Sequence, residues 1–155
     1  MEKVAFIINP FSAKKNYQPF LTALEKKAEN PLYYISDSIE GTFDFIHENF
    51  DKIDIFVAVG GDGTISTVAQ KLINTEKILA IFPAGSGNGF SNETNFNKNL
   101  DQLLDKIKDK KSRQIDTFLV NDKLSINVSG TGFDGKVVKE FEKTERGSKN
   151  YIKVS

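Results

Sequence analysis

The sequence predicts a three-layer α/β domain built around a parallel sheet. Apolar runs of strand length alternate, in the first part of the chain, with stretches whose apolar residues recur every three or four positions, the spacing of one helix face. The apolar runs are continuous, as expected for strands that helices cover on both sides. The resulting order β-α-β-α-β-α-β is typical of a parallel sheet with crossover helices.

Four apolar runs are the strand candidates, at residues 4–8, 32–35, 53–58 and 78–82. Asn9-Pro10 stops the first run and Pro83 stops the fourth, because proline has no backbone N–H to donate within a sheet. Three helix candidates connect the runs, and we expect the third to end near Asn74. Their apolar positions are Phe20, Leu21, Leu24 and Ala28; then Phe43, Ile46 and Phe50; then Ile65, Val68, Ala69, Leu72 and Ile73.

A long polar segment and one further helix complete this part of the chain. Residues 84–99 contain three glycines and five asparagines, and loops of that length are usually functional or disordered. An amphipathic helix follows, because the apolar residues after this loop fall at helical spacing on one face. These residues are Leu100, Leu103, Leu104 and Ile107.

The pattern changes near Arg113. Strand-like runs at 114–120 and 124–128 flank Asn121-Asp122-Lys123, which is a hairpin signal rather than another crossover unit. A further helix candidate lies near 136–142. We therefore predict two domains: residues 1–112 form an α/β domain, and residues 113–155 enter a second, β-rich domain that this chain does not complete.

Composition favours an ordinary globular protein and disfavours several classes of partner. Hydrophobic residues make up 39% of the chain and charged residues 27%, which are typical values. Lys+Arg and Asp+Glu number 21 each, and a net charge of zero argues against a nucleic-acid partner. The absence of cysteine excludes disulfides and thiolate metal sites. No apolar run reaches membrane-spanning length, so we predict a soluble cytoplasmic protein.

A glycine-rich turn, Gly60-Gly61-Asp62-Gly63-Thr64, lies between the third strand and its helix. Glycines there let backbone N–H groups point into a concavity, and the helix N-terminus adds partial positive charge, so the turn can hold a phosphate. Taken alone, it could equally be a tight turn that closes a βα unit. The P-loop pattern is absent, because no Gly-Lys-Ser/Thr tripeptide occurs.

Two other polar loops follow strands of the same sheet. Asn9-Pro10-Phe11-Ser12 follows the first strand, and Pro83-Ala84-Gly85-Ser86-Gly87-Asn88 follows the fourth. In a parallel sheet, ligands bind outside the carboxyl ends of the strands. We therefore expect the three loops to converge on one ligand site.

The three motifs, in this order and at these intervals, resemble the diacylglycerol kinase catalytic-domain family, which includes bacterial lipid kinases, sphingosine kinases and ceramide kinases. Ile115-Asp116 and Gly132-Phe133-Asp134-Gly135 resemble the family's markers that lead into a β-rich second domain. NAD kinases and phosphofructokinases share the Gly-Gly-Asp-Gly element, and the segment from Pro83 to Asn88 favours lipid kinases over them. The resemblance implies a Rossmann-like parallel sheet.

The resemblance further implies transfer of the ATP γ-phosphate to a lipid hydroxyl, with ATP and Mg²⁺ as cofactors and transient contact with a membrane surface. Asp62 is the implied catalytic carboxylate and could act through Mg²⁺, because a carboxylate beside phosphates is repulsive unless a partner offsets it. The alternative is that Asp62 caps its helix. Asp116 and Asp134 are weaker candidates near an interdomain cleft. The implied nucleotide-binding set is Asn9, Ser12, Gly60, Gly61, Gly63, Thr64, Gly85, Ser86, Gly87 and Asn88.

The chain departs from the family pattern in three places. Ser66 and Thr67 stand where Asn-Glu is common, Ala13 replaces a usual glycine, and Gly89 replaces an aspartate of many bacterial members. Two alternatives therefore stay open: an NAD-kinase-like phosphotransferase with a soluble acceptor, and a catalytically silent nucleotide-binding module. Because the family places much of its lipid site in the second domain, we expect this chain alone to be inactive.

Overall fold

The computed structural model describes residues 3–12, 16–85, 88–126 and 135–136. Helices and strands alternate through most of this length, as the sequence predicts. In chain order the elements are β1 (Val4–Ile8), α1 (Gln18–Lys27), β2 (Leu32–Ile35), α2 (Ile39–Asn49), β3 (Ile55–Gly60), α3 (Asp62–Ala69), β4 (Ile78–Pro83), α4 (Gly89–Glu93), α5 (Leu100–Asp109), β5 (Phe118–Val120) and β6 (Lys123–Ser125).

The first four strands form one parallel sheet in the order β2-β1-β3-β4. Every residue of the two central strands, β1 and β3, is buried, whereas the edge strands are only partly covered. This difference explains why the central strands read as the most continuous apolar runs in the sequence. The predicted three-layer α/β fold is confirmed.

Helices cover both faces of the sheet. Alternate residues of β1, including Val4, Phe6 and Ile8, pack in one buried cluster with the apolar stripes of α1 and α5. Within this layer Phe20 of α1 lies between Phe6 and Phe82, with ring centroids 6.3 and 4.5 Å away. The opposite face carries α2 and α3, whose inward residues are buried. Packing on both faces supplies most of the stability of such a sheet.

Several predicted elements differ from those of the structure. The third helix ends at Ala69 rather than near Asn74, because Lys71 and Leu72 donate to carbonyls only three residues earlier and Asn74 adopts a left-handed φ of 56°. The polar segment 84–99 is not a continuous loop, because it contains the short helix α4. In addition, β3 spans Ile55–Gly60 rather than 53–58, so the glycine-rich turn begins inside the sheet. The predicted strand 114–120 begins only at Phe118.

The chain consists of two compact units, Met1–Ile115 and Asp116–Ser155. In the second unit β5 and β6 form an antiparallel hairpin. Asn121 and Asp122 form its turn with φ values of 48° and 60°, as a type I′ turn requires. The helix candidate near 136–142 lies outside the described residues, apart from Lys136. The longest helix that the structure describes, α2, has 11 residues, and none could cross a bilayer.

Candidate functional site

The three loops named by the sequence lie side by side at the carboxyl edge of the sheet. Their parent strands β1, β3 and β4 are neighbours, and hydrogen bonds continue the ladders past the strand ends. Asn9 N–H donates to the Val59 carbonyl at 2.9 Å, and Ala84 N–H donates to the Gly60 carbonyl at 2.8 Å. The predicted convergence of the loops is therefore present in the fold.

Asn9 connects the first loop to the start of helix α3. Its side-chain Nδ2 donates to Thr64 Oγ1 at 2.9 Å, and its Oδ1 accepts from the Phe11 N–H at 2.9 Å. The Ser12 N–H donates to the Asn9 carbonyl at 3.2 Å, which closes the turn. This arrangement places Ser12 at the rim of the first loop and the hydroxyl of Thr64 at the junction of two loops.

The glycines of the second and third loops permit a close approach of two backbones. A Cβ on Gly85 would overlap the Cα of Gly61, and a Cβ on Gly61 would lie 3.0 Å from the Cα of Gly85. A Cβ on Gly60 would overlap the side chain of Thr64. The contact between the second and third loops therefore requires glycine at position 85 and leaves little room at position 61, whereas glycine at position 60 makes room for the Thr64 side chain of its own loop.

Asn88 closes the third loop on itself. The Gly85 N–H donates to Asn88 Oδ1, and Asn88 Nδ2 donates to the Gly85 carbonyl, both at 2.8 Å. Asn88 has a left-handed φ of 56° and immediately precedes α4. Ser86 and Gly87, between these two residues, lie outside the described residues.

Asp62 joins the second loop to the third. Its exposed carboxylate accepts two backbone hydrogen bonds: Oδ2 from the Gly89 N–H at 3.2 Å and Oδ1 from the Phe90 N–H at 3.1 Å. The residue that caps α3 is Gly61, and Asp62 is the first residue of that helix. The alternative that Asp62 caps its own helix is therefore wrong, because its side chain instead satisfies the first amides of α4.

The first turn of α3 has free space beside Gly63. A Cβ on Gly63 would meet no atom within 4 Å, so a small group could approach the helix there. Helix geometry leaves the first N–H groups without carbonyl partners in the helix, and the helix dipole makes this end electropositive. The described residues contain no group of three or more His, Cys, Asp or Glu side chains that could hold a metal ion.

A fourth loop at the same edge was missed by sequence reasoning, which considered only loops rich in glycine or asparagine. It follows β2, next to the first loop, and the Ser36 N–H donates to the Ile8 carbonyl at 2.8 Å. Tyr34 Oη donates to Asp37 Oδ1 at 2.5 Å, and Ser38 Oγ donates to the same oxygen at 2.9 Å. The bond from Tyr34 holds the pKa of Asp37 below its ordinary value and raises the pKa of Tyr34.

The two weaker candidates are not brought to this edge by any described contact. Asp116 is exposed and is the first residue of the second compact unit. Asp134 lies outside the described residues. The residues that the structure does bring together are Asn9, Ser12, Gly60, Gly61, Asp62, Gly63, Thr64, Gly85 and Asn88, joined by Gly89 and Phe90.

A match to a family model shows the family of this chain. The family model of the diacylglycerol kinase catalytic domain matches residues 3–120. A Streptococcus pneumoniae protein named "Putative lipid kinase" is 30% identical over 129 residues, which are 79% of this chain and 44% of that protein. The diacylglycerol kinase of Bacillus subtilis is 26% identical over 140 residues, 85% of this chain and 46% of the relative. The NAD kinase of Clostridium beijerinckii is 28% identical over 125 residues, which are 80% of this chain and 43% of that protein.

Solved structures show the same fold. The crystal structure of a diacylglycerol kinase from Bacillus anthracis aligns with 99% of this chain and 56% of its own length, at a TM-score of 0.70 and 22% identity. The chain spans less than half the length of these curated relatives.

Proposed function

The chain belongs to the diacylglycerol kinase catalytic-domain family, and on that premise we propose that it forms the nucleotide-binding part of a lipid kinase, which transfers the γ-phosphoryl group of ATP to a lipid hydroxyl. The observation that carries this proposal is the junction of three loops at one sheet edge. Hydrogen bonds from Asn9 to Thr64, and from the start of α4 to Asp62, join these loops at the first turn of α3, where there is free space beside Gly63.

In this proposal the second loop binds the phosphates of the nucleotide. Backbone N–H groups at Gly61 to Thr64 and the Thr64 hydroxyl would donate to phosphate oxygens, and the open space beside Gly63 gives them room. Gly60 would permit the close packing of Thr64 that this requires. Asn9 and Ser12 would border the nucleotide on one side. Gly85, Ser86, Gly87 and Asn88 would close the other side.

The site fits a magnesium ion that the nucleotide helps to hold. Mg²⁺ commonly binds through one or two carboxylates together with substrate phosphates, so a dedicated cluster of acidic residues is not needed. Asp62 is exposed, and each of its oxygens accepts one amide and keeps a further lone pair. When bound, the ion would neutralise charge that develops on the transferred group. We assign Asp62 as the catalytic carboxylate of this site.

The acceptor site would lie largely in a second domain, for which residues 113–155 are the beginning. The hairpin supports this assignment, because Phe118, Leu119 and Val120 of β5 are 46, 65 and 38% exposed. Consecutive exposed apolar residues on a strand usually mark a surface that another element covers. The family resemblance makes Asp116 and Asp134 weaker candidates for this part of the site, and the lipid would be reached from a membrane surface. We place the protein in the cytoplasm.

Phosphoryl transfer by the intact protein tests the proposal. We expect labelled γ-phosphate from Mg²⁺-ATP to appear on diacylglycerol or sphingosine presented in mixed micelles, and not on NAD. Transfer to NAD would favour the second candidate, a soluble-acceptor kinase, which the relative from Clostridium beijerinckii supports. Nucleotide binding without turnover on any acceptor would favour a silent module, which Ser66, Thr67 and Gly89 support by their departure from the family pattern.

A further inference from the structure

The side-chain amide of Asn9 has one orientation that satisfies its neighbours. Its oxygen accepts from the Phe11 N–H, a group that can only donate, so the amide nitrogen must face Thr64. The amide nitrogen in turn can only donate. Thr64 Oγ1 is therefore the acceptor of this hydrogen bond, and the proton of its own hydroxyl is directed elsewhere.

Other threonines of the chain use their hydroxyl protons differently. Thr42, Thr67, Thr75 and Thr94 each donate to a backbone carbonyl three or four residues earlier, at 2.7 to 3.0 Å. For Thr64 the corresponding carbonyl is that of Gly60, and it accepts from the Ala84 N–H at 2.8 Å. Among the described residues, Thr64 makes no such bond to the helix backbone.

Gly60 and Asn9 together fix the position of the Thr64 hydroxyl. Any Cβ at Gly60 would overlap Thr64 Oγ1 and Cβ, so the bare glycine backbone lets this side chain lie against the strand end. Asn9 then holds Oγ1 from the neighbouring loop, 55 residues away in the sequence. The hydroxyl is thus half-buried, anchored through its oxygen, and located in the first turn of α3.

We propose that Asn9 is a positioning residue that acts on the nucleotide through Thr64: by donating to Oγ1, it leaves the Thr64 hydroxyl proton to be donated to an anionic phosphate oxygen. This inference rests on the proposed nucleotide-binding function. It assigns Asn9 a task distinct from direct contact with the nucleotide. A hydroxyl held in this way donates to a charged acceptor without first breaking a bond to its own helix.

A double-mutant cycle on ATP affinity tests the proposal in the intact protein. Asn9→Ser keeps an oxygen that can accept from the Phe11 N–H, carries no charge and is too short to reach Thr64. Thr64→Ala removes the hydroxyl. Each single change should weaken ATP binding, Thr64→Ala by about tenfold, the scale of one hydrogen bond to a charged group. The double variant should bind no more weakly than Thr64→Ala alone.

Thr67→Ala is the matched control, because it removes a hydroxyl from the same helix that already donates to the Gly63 carbonyl. It should leave ATP affinity unchanged, and its effect should simply add to that of Asn9→Ser. The thermal unfolding midpoint of each variant should be measured to check that the variant is folded at the temperature of the titration.

The proposal is overturned if the two substitutions weaken ATP binding independently of each other. If the affinity loss of the double variant equals the product of the single losses, or if Asn9→Ser has no effect, Asn9 does not act through Thr64. In either case the wild-type protein still binds ATP, so the proposed function stands. Failure of the wild-type protein to bind Mg²⁺-ATP overturns the proposed function and this inference together.

Discussion

At the scale of single residues, Asp62 combines a structural and a chemical task. Its two oxygens satisfy the first amides of α4, which lie 27 and 28 residues further along the chain. A carboxylate can accept these bonds and still offer lone pairs to a cation or to the proton of an attacking hydroxyl. The acidic residue in the glycine-rich turn therefore holds two loops together at the place where phosphates are proposed to bind.

Asp62→Asn distinguishes the structural task of Asp62, which is to hold the start of α4, from its proposed catalytic task. The asparagine oxygen can keep one amide bond of α4, whereas its NH₂ group cannot accept the other and carries no negative charge. We expect lipid phosphorylation to be abolished while ATP affinity changes by a smaller factor, measured as turnover and as a dissociation constant on the same sample. Asp105→Asn, on the exposed surface of α5, is the control and should behave as wild type. Near wild-type turnover by Asp62→Asn would refute the catalytic assignment.

Two glycine substitutions should have opposite consequences. In Gly85→Ala the new methyl group would overlap the Gly61 backbone, so we expect a loss of about 1–3 kcal/mol in the free energy of unfolding. In Gly63→Ala the methyl group meets no atom within 4 Å, and alanine favours the helix by about 0.5–1 kcal/mol. Stability should therefore not fall, although the methyl group would occupy the space assigned to phosphate. Urea unfolding and ATP titration of both variants distinguish these effects.

At the scale of elements, the turn from β2 to α2 should give stability a dependence on pH. The folded pKa of Asp37 is lowered by its bond from Tyr34, so this contribution is present above the ordinary value of 3.8 and is lost as the pH falls through the folded value. The pKa of Tyr34 is raised, so its contribution is present below 10.0 and is lost as the pH rises through the folded value. Stability gained from the pair should therefore be largest between these limits.

Tyr34→Phe tests this dependence, because it removes the hydroxyl and retains the ring that stacks on Phe45 at 5.2 Å. Urea unfolding should show the variant less stable than wild type near neutral pH, and the difference should shrink as the solution is acidified below 3.8. In an Asp37→Asn background the same substitution should give no such pH trend. A difference that is constant with pH would contradict the assignment.

The local pattern of apolar residues was sufficient to predict the elements that form the core. It was insufficient to predict the elements whose position depends on contacts between residues far apart in the sequence. The central strands are continuous apolar runs because both of their faces are covered, so β1 and β3 could be found from sequence. Helix α4 could not. Its five residues show no helical period, and its start depends on Asp62 from another loop and on the left-handed Asn88. The contact between Gly61 and Gly85 was likewise invisible, since the sequence shows glycines but not what approaches them.

At the scale of the whole molecule, the chain supplies one half of a proposed two-part enzyme. Isolated residues 1–155 should bind Mg²⁺-ATP weakly, because the loops that hold the phosphates are present, yet should transfer no phosphate to lipid. Calorimetry with ATP and a lipid phosphorylation assay, each run beside the intact protein, check the two statements. Turnover by the isolated chain at the rate of the intact protein would show that no further domain is needed.

Because β1 lies between β2 and β3, the N-terminal strand can complete its pairings only after the chain has been synthesised through Gly60. The hydrogen bond from Asn9 can form only after Thr64 has been synthesised, and the bond to the Asp62 carboxylate only after Phe90 has been synthesised. We therefore expect the ligand site to be among the last parts of the α/β unit to form on the ribosome. A nascent chain that ends before α4 would expose unpaired loops to chaperones and proteases, and nucleotide could not yet protect it.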